Sequence, residues 1–499
     1  MNFAEYVLGT GGRAGIAIVD AGGSHSYAQL RAAVAENATR LTALGLPPRT
    51  PVGIAGANSF GWVGAYLAVL ASGMVAVPMA NGLSPEEIGA RLDWIDAGAL
   101  FVAARSAARL RPHCPQLLQY AENCADPDAT VHFADVADDD DAVYAFTSGT
   151  TSRARAVRHT HDNLRANTDS ILGYLPLTGN ERMLAALPFG YVFGASVLHT
   201  HLKVGATLVI QNDVVFPQAV VARMASEGCT GFAGVPSIFH TLLRNSTFSS
   251  RPLPDLRVIQ QAGGKLAPAL ISELRQAQPQ AEVFVMYGQT EATARLSYLP
   301  PADLDRKPGS IGKGIPGVEL SVVTGEGRPV ASGEVGEIWA RGRSISPGYL
   351  GDLAASRRKM PDGVLHTGDL AWVDDDGYIY VVDRQEDFIK TWGFRVASQE
   401  VEAAAMQLPG LIAAAAVGVP DDAAGERVEL VAVRNDQAEV TEKEVLRHCR
   451  SQLAKHMVPV AVHFVRALPL NANGKVVKTA VRELCLGLSD DLQGEGHEQ

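Results

Sequence analysis

Apolar and polar positions alternate in blocks along the first half of the chain. Short apolar or β-branched runs predict strands at Val52–Ala55, Val75–Pro78, Leu100–Ala103 and Ala206–Ile210. The Ala- and Leu-rich stretches between them, such as Tyr27–Gly45 and Pro85–Ile95, predict helices. Strands that alternate with helices are typical of a layered α/β architecture with a largely parallel sheet.

The pattern changes from about Gly309. Gly, Pro and Asp turns now separate predicted strands at Val318–Val323, Gly336–Arg341, Val364–Leu370 and Tyr378–Val382. A smaller α+β portion follows Asp383, with helices predicted at Glu400–Gln407 and Glu442–Leu453 and strands at Ala413–Val419 and Ala461–Phe464. We therefore expect an α/β protein in which a large N-terminal domain of layered α/β subdomains carries a β-rich subdomain and precedes a small α+β domain.

The stretch Phe60–Ala80 has no charged residue and is long enough for a membrane span. Gly61, Gly64 and Pro78 interrupt it, however. A buried helix at Trp62–Ala71 followed by a buried strand at Met74–Val77 fits the pattern better, so we expect no membrane span.

Length and charge exclude some classes of protein. The chain has 499 residues, is 47% apolar and carries a formal charge of −11, which is inconsistent with a single small module and disfavours a nucleic-acid binder. Its five cysteines are sparse and form no Cys-x-x-Cys pair, so they indicate neither structural zinc nor a disulfide framework. The first residues lack the basic start and apolar run of a signal peptide, and we expect a reducing cytoplasm.

The most informative segment follows the apolar run Val143–Phe146. Five small or hydroxyl-bearing residues come first, and Arg153 and Arg155 follow them. Small residues let backbone N–H groups approach an anion, hydroxyls add donors, and arginine adds a forked positive charge. A phosphate-binding loop and a surface turn between strands are both consistent with this composition, since no Gly-Lys-Ser/Thr occurs. The loop residues are Thr147, Ser148, Gly149, Thr150 and Thr151.

A second segment ends a predicted strand with Tyr287-Gly288, and Gln289-Thr290-Glu291 follows. The carboxyl end of a strand is where α/β proteins place ligands. The Tyr287 ring can cover a base, Thr290 can bond a phosphate, and Glu291 can hold Mg²⁺. The alternative is a helix N-terminus capped by Thr290, with Glu291 favoured by the helix dipole.

Two further segments carry candidate groups. Asp369, placed by the pattern at the end of a strand, can accept hydrogen bonds from a ribose diol, and Arg384 can bond the same sugar or a phosphate; a local hairpin turn is the alternative. Leu468–Lys475 forms a Pro-, Asn- and Gly-containing turn that presents Lys475. A mobile lysine can neutralise charge that develops between a carboxylate and a phosphate, although a solvated lysine on a turn has the same pattern.

Taken together and in order, these segments resemble the acyl-adenylate-forming ligase superfamily, which contains acyl- and aryl-CoA synthetases, nonribosomal adenylation domains and luciferases. The resemblance runs from Asn58 to Lys475. Thr147–Thr151 matches the family's phosphate loop, and Pro188–Gly194 resembles its acid-pocket motif. The other matched positions are Gly263, Gly264 and Lys265 beside the adenine, Tyr287, Gly288 and Gln289 on the adenine segment, and Asp369 and Arg384 at the ribose.

The resemblance implies roles for these residues. The catalytic set comprises Lys475, Thr290, Glu291 and Arg155, with Glu291 as the Mg²⁺ ligand. The implied acid-pocket walls are Tyr191, Phe193, Gly194 and Val235, although apolar residues there are equally consistent with core. It further implies an N-terminal domain at residues 1–384, a mobile C-terminal domain at residues 385–499, a hinge at Glu386, and a thiol tunnel lined by Gly393.

One departure lies in the phosphate loop, where Arg155 stands in place of the usual lysine and Ser152 and Ala156 in place of glycines. We expect nucleotide binding with altered loop mobility. The aspartate that binds an amino-acid amine is missing near Gly194, which favours an acid without an α-amine.

The implied activity is that of an ATP-dependent acid–thiol ligase. A small carboxylic acid, aromatic or aliphatic, becomes an acyl-AMP with release of pyrophosphate, and the acyl group then passes to coenzyme A or to the phosphopantetheine of a separate acyl carrier protein. Amino-acid–carrier ligation, a non-thiol second step and a non-catalytic nucleotide-binding protein are the alternatives. A homodimer is left open, and no nucleic-acid partner is expected.

Overall fold

The computed structural model describes residues 1–9, 15–114, 116–121, 129–147, 155–435, 439–470 and 476–494, of which 488–494 are described by backbone alone. The described helices, numbered in chain order, are α1 Phe3–Leu8, α2 Tyr27–Thr42, α3 Phe60–Ala71, α4 Pro85–Trp94, α5 Ala104–Leu110, α6 His161–Leu172, α7 Val192–Val204, α8 Pro217–Ser226, α9 Pro236–Asn245, α10 Pro268–Ala277, α11 Leu353–Lys359, α12 Ser398–Ala405, α13 Glu442–Gln452 and α14 Lys478–Gly494.

The described strands are β1 Ile16–Asp20, β2 Gly23–Ser26, β3 Pro51–Ala55, β4 Val75–Pro78, β5 Ala99–Val102, β6 Leu117–Gln119, β7 Asp141–Phe146, β8 Ala156–Thr160, β9 Arg182–Ala185, β10 Thr207–Ile210, β11 Gly231–Gly234, β12 Val258–Gln261, β13 Glu282–Tyr287, β14 Ser297–Leu299, β15 Lys313–Gly314, β16 Val318–Val323, β17 Val335–Gly342, β18 Leu365–Val373, β19 Ile379–Arg384, β20 Ile389–Thr391, β21 Phe394–Val396, β22 Leu411–Asp421, β23 Gly425–Arg434 and β24 Ala461–Phe464.

Two large sheets organise the first part of the chain. The nine-stranded sheet has the order β15-β14-β13-β12-β11-β9-β10-β1-β2, and its six central strands, from β13 to β1, are parallel. The six-stranded sheet has the order β6-β5-β3-β4-β7-β8 and is parallel except for β8. These sheets and their helices confirm the predicted α/β class.

The uncharged stretch near residue 60 forms a core helix and a core strand. Every residue of α3 is buried, and the helix contacts β1 of one sheet and β3 and β4 of the other. The Ser59 side chain caps the helix by accepting a hydrogen bond from the Trp62 backbone N–H. Among the described residues, no helix is long and apolar enough to cross a membrane.

Two smaller sheets follow. One is four-stranded with the order β16-β17-β18-β19, and the other joins β21-β20-β23-β22 with β24 added beside β23. The described chain divides into two compact units, the first with residues up to 321 and 339–366, and the second with 322–338 and the residues from 367 onward. This division reflects only which residues pack together, so the functional boundary expected between residues 384 and 385 stays a prediction.

An ion pair ties the start of α14 to the second unit's core. The ammonium of Lys478 pairs with the Glu402 carboxylate and also donates to Ser398 Oγ, at 3.1 Å, and to the Ala416 carbonyl, at 2.7 Å. The Ala416 backbone N–H donates to Glu402 Oε1 at 2.9 Å. Burial raises the pKa of the Glu402 carboxyl, and the neighbouring Lys478 partly offsets that rise.

We therefore predict that Glu402→Gln destabilises the second unit by about 2 kcal/mol, because it leaves a largely buried lysine without its counter-charge. Urea unfolding of the purified protein measures the change. Glu326→Gln is the matched control, since Glu326 pairs with Arg328 on the exposed surface, where an ion pair contributes roughly 0–1 kcal/mol. Equal effects of the two substitutions would contradict the assignment.

Candidate active site

The candidate phosphate loop joins two antiparallel strands of the six-stranded sheet. β7 pairs with β8, and beyond the last pair the Thr147 backbone N–H donates to the Arg155 carbonyl at 2.9 Å. The predicted loop residues Ser148, Gly149, Thr150 and Thr151 lie outside the described residues. Thr147 and Arg155 therefore mark the two ends of the connection that the sequence predicts to hold phosphate.

Arg155 and Glu291, predicted from separate motifs, are linked through Tyr349. The Arg155 guanidinium carbon lies 5.3 Å from the centre of the Tyr349 ring. The Tyr349 hydroxyl donates to Glu291 Oε1 at 2.7 Å. Burial, together with the Glu291 carboxylate, raises the pKa of Tyr349, so the phenol remains a proton donor to this carboxylate. The arrangement places a cation beside an oriented carboxylate.

The backbone around Glu291 is held from two sides. Thr290–Ala292 forms a 3₁₀ turn, with no side-chain cap, and the Ser346 N–H donates to the Glu291 carbonyl at 2.8 Å. His159 Nε2 contacts the Thr290 carbonyl at 2.7 Å. Burial lowers the His159 pKa to about 4, so the neutral ring donates this hydrogen bond near pH 7. The alternative in which Thr290 caps a helix is thus not what the structure shows.

Two glycines, Gly263 and Gly264, follow the carboxyl end of β12. Gly263 has φ +85°, and a Cβ there would lie 2.8 Å from Val235 Cγ1 and 3.3 Å from the Tyr191 hydroxyl. A Cβ on Gly264 would lie 3.2 Å from Pro236 Cγ, a tight but less restrictive contact. The positive φ and the close contact at Gly263 together favour glycine there. The predicted adenine segment consequently lies against two of the predicted acid-pocket walls, while Lys265 is exposed.

Tyr287 ends β13 and the chain then turns back on itself. The Leu296 backbone N–H donates to the Tyr287 carbonyl at 2.8 Å. A Cβ on Gly288 would lie 1.9 Å from the Ala294 carbonyl oxygen, so this turn also requires glycine. Gln289 follows in extended conformation and leads into the Glu291 turn. The predicted adenine and Mg²⁺ residues thus stand on one tight connection at the end of a parallel strand.

The predicted acid-pocket motif forms the start of α7. Phe193 is buried, and a Cβ on Gly194 would lie 2.1 Å from the Pro188 carbonyl oxygen. The side chain of Asn58 fixes the preceding loop by donating to the Leu187 carbonyl, at 2.9 Å, and accepting from the Phe189 N–H, at 2.8 Å. The first turn of α7 and the motif loop are therefore in direct backbone contact.

A cavity lies between α6, α7 and the segment after Glu291. Its surface is mostly apolar, and the buried polar side chains in its lining include His159, His199, Tyr66, Asn167 and Ser196. The Tyr66 hydroxyl and His199 Nε2 are 2.9 Å apart. Burial lowers the His199 pKa to about 3 and raises the pKa of Tyr66, so both groups are neutral near pH 7. The sequence motifs did not indicate Tyr66 or His199.

The predicted ribose residues meet in the second unit. Asp369 lies within β18, rather than at a strand end as the pattern indicated, because the strand continues to Val373. It is paired in register with Arg384 of β19, and Asp369 Oδ1 lies 3.4 Å from Arg384 Nε. Arg384 Nη1 lies 3.9 Å from Glu386 Oε1. The structure thus brings together the predicted ribose pair and the predicted hinge acid.

The remaining predicted residues lie on two connections of the second unit. Gly393 forms the β20–β21 hairpin with Trp392, and both have positive φ, +80° and +52°. Lys475 lies outside the described residues, which flank it with a β-bridge between Leu470 and Val476. The thiol-tunnel role of Gly393 and the catalytic role of Lys475 stay predictions.

Comparison with known proteins gives the class of this chain. A family model described as AMP-binding enzyme matches residues 10–350, and one described as AMP-binding enzyme C-terminal domain matches residues 400–475. The chain belongs to the AMP-binding enzyme family, as the resemblance to acyl-adenylate-forming ligases predicted. The predicted enzyme class, an AMP-forming acid–thiol ligase, is confirmed with it.

Individual relatives cover almost the whole chain. A feruloyl-CoA synthase from an Amycolatopsis species is 32% identical over 477 residues, which are 93% of this chain and 95% of the relative. The crystal structure of ATP-bound MatB from Rhodopseudomonas palustris is 27% identical with a TM-score of 0.88, covering 97% of this chain and 98% of that one. The amide bond synthetase McbA from Marinactinospora thermotolerans is 27% identical with a TM-score of 0.87, covering 97% and 99%.

We predict that Gly194→Ala destabilises the first unit by about 2 kcal/mol and lowers kcat/KM for the acid, because the added Cβ must push the Pro188 carbonyl away from α7. Thermal unfolding and acid-dependent pyrophosphate release measure the two effects. Gly190→Ala in the same loop is the control, since its Cβ would meet nothing closer than 3.5 Å. A tolerated Gly194→Ala would show that this contact does not hold the loop.

Proposed function

We propose that the protein activates a small carboxylic acid with ATP and transfers the acyl group to coenzyme A. The observation that carries the residue assignments is the chain of contacts from Arg155 through Tyr349 to Glu291, at the base of the predicted phosphate loop. The feruloyl-CoA synthase relative supports coenzyme A as the acceptor and an aryl-substituted acid as the substrate.

The first step joins two anions. A carboxylate oxygen of the acid attacks the α-phosphorus of ATP, and the bond from that phosphorus to the pyrophosphate oxygen breaks. Arg155, the loop N–H groups and Lys475 reduce the repulsion between the reactants. Glu291 would hold Mg²⁺, because a carboxylate oxygen is a ligand that this ion prefers, and the bound ion would supply further positive charge for the phosphates.

The nucleotide is held by several contacts in this proposal. Tyr287 and the backbone of Gly263 and Gly264 pack the adenine, Gly288 and Gln289 border it, and Asp369 accepts from the ribose hydroxyls. Asp369 suits this role because a carboxylate can accept hydrogen bonds from a ribose diol, and the neighbouring Arg384, with its Nε 3.4 Å from Asp369 Oδ1, can bond the same sugar. Thr147, Ser148, Gly149, Thr150, Thr151 and Thr290 would bind the phosphates, and Lys265 lies beside the adenine segment.

The second step makes the thioester. The thiol sulfur attacks the acyl carbonyl carbon, and AMP leaves with the oxygen that the acid contributed to the anhydride. We assign Glu386 as the hinge about which the C-terminal domain rotates between the two steps, and Gly393 as part of the thiol path. Residues 385–499 form the C-terminal domain in this proposal. The cytoplasm is the proposed location, and the described cysteines, Cys114, Cys229, Cys449 and Cys485, are buried thiols.

A nitrogen nucleophile in the second step is the second candidate function. The similarity to the amide bond synthetase McbA favours it, since that protein shares the fold over nearly its whole length. The phosphopantetheine of a carrier protein is the third acceptor that the assay below includes.

The experiment that tests the function measures pyrophosphate release from ATP across aryl, alkyl and amino acids, with mass analysis in the presence of coenzyme A, a carrier protein or an amine. We expect acid-dependent pyrophosphate release and an acyl-CoA product. Acid-dependent release with an amide as the product would move the assignment to the second candidate. No release with any acid would contradict the proposed function.

Lys475→Ala should lower the rate of adenylate formation about 10²- to 10³-fold, because a cation beside the developing charge is removed. The rate of thioester formation from a supplied acyl-adenylate should change little. Lys455→Ala, at an exposed lysine of the second unit, is the control for loss of charge alone. Equal losses in both half-reactions would argue against a role for Lys475 confined to the first step.

A further inference from the structure

Arg295 is buried among neutral groups. Only 2% of its surface is exposed. Its Nη1 donates to the Tyr174 hydroxyl at 3.1 Å and to Met286 Sδ at 3.0 Å, and its Nη2 donates to Gln260 Oε1 at 2.9 Å. The guanidinium carbon lies 5.3 Å from the centre of the Phe193 ring. None of these contacts supplies a negative charge.

The charge of Arg295 has no acidic partner among the residues that the structure describes. By contrast, the similarly buried Arg165 pairs with Asp138 at 2.7 Å and with Asp162 at 2.9 Å. A guanidinium stays protonated when it is buried, so an isolated one is costly to keep. An anion delivered by a ligand would remove that cost.

Two donors in this cluster lack acceptors within the described part of the chain. They are Nε of Arg295 and the side-chain Nε2 of Gln260. Because Nη2 of Arg295 donates to the same Gln260 amide, these two donor groups belong to neighbouring side chains. Adjacent N–H donors on a cation and an amide suit the two oxygens of a carboxylate.

The cluster lies beside the candidate acid pocket. Gln260 stands near the carboxyl end of β12, in register with Ala233 of β11 and Phe284 of β13. Phe193, which contacts the guanidinium, is a predicted pocket wall. Ala294, the residue before Arg295, lines the cavity between α6 and α7. The cluster of Arg295 and Gln260 therefore adjoins both the predicted pocket wall Phe193 and this cavity.

We propose that Arg295 and Gln260 bind a second carboxylate of the acid substrate, so that the enzyme activates a small dicarboxylic acid. One carboxylate reacts with ATP, and the other pairs with Arg295 at the distal end of the pocket. The inference rests on the proposed function, because it requires that one carboxylate of the acid is adenylated while the other is recognised by Arg295. Ordered water or a neutral acceptor on the substrate is the competing occupant.

Pairs of acids that differ in their second carboxylate show which of these occupants binds at Arg295. The probes are succinate and terephthalate, each compared with its own monomethyl ester in acid-dependent pyrophosphate release. The ester keeps the carbon skeleton and the reacting carboxylate, adds one methyl group and removes the second negative charge. We expect kcat/KM for the better diacid to exceed that of its ester at least about thirtyfold.

Substitutions locate the preference. Arg295→Met should abolish the preference for the diacid and leave activity on the monoester, while Arg295→Lys, which keeps charge but loses the fork, should give an intermediate ratio. Arg165→Met is the matched control, a buried arginine whose charge is already paired, and it should leave the ratio unchanged. Thermal unfolding of each variant shows whether it is folded, and added diacid should raise the unfolding temperature of the wild type but not of Arg295→Met.

The outcomes separate this inference from the function beneath it. If the wild type releases pyrophosphate with monoesters as fast as with diacids, or if Arg295→Met keeps the diacid preference, the inference is overturned and the ligase assignment stands. If no acid releases pyrophosphate, the ligase assignment fails. The Arg295 site is then decided by the unfolding temperature: a diacid shift lost in Arg295→Met sustains it, and the absence of a shift overturns it.

Discussion

Strands β11, β12 and β13 run parallel and end at one edge of the nine-stranded sheet, and the candidate residues that follow these three strands depend on that common edge. After each of these strands, the chain must turn without filling the space above this edge. Gly263 and Gly288 solve this steric problem, because a Cβ at either would collide with neighbouring atoms. The parallel arrangement thus brings residues from distant segments together, and the glycines keep room for a ligand.

Electrostatics sets the second requirement, since acid and ATP repel one another. Near the predicted phosphate loop, charge is placed in a defined order, with the Arg155 guanidinium over the Tyr349 ring and the Tyr349 hydroxyl on the Glu291 carboxylate. Burial keeps His159 neutral beside this group, so the ring positions the Thr290 carbonyl without adding a charge. Groups fixed in this way need little reorganisation when charge shifts during the reaction.

The fold class and most strands followed from apolar runs, because a buried strand is apolar throughout and short turns delimit it. The motif segments at Thr147 and Tyr287 could also be recognised from the sequence, because each is defined by the residue types of a few consecutive positions. Tyr349 was missed because its contact with Glu291 joins residues 58 positions apart, and only tertiary packing creates it. Asp369 was placed at a strand end because its Thr-Gly-Asp sequence is typical of a turn, whereas pairing with β19 extends β18 past it.

The buried polar groups near the candidate acid pocket are of two kinds. His199 and Tyr66 satisfy one another and are neutral, so the part of the cavity that they line favours an uncharged section of substrate. Arg295 differs, because its hydrogen bonds go to neutral acceptors and its charge is unbalanced within the described residues. A protein that needed only packing at this position would be more stable with an apolar side chain there. The unbalanced charge of this guanidinium is therefore the physical basis for proposing a ligand that brings a negative charge.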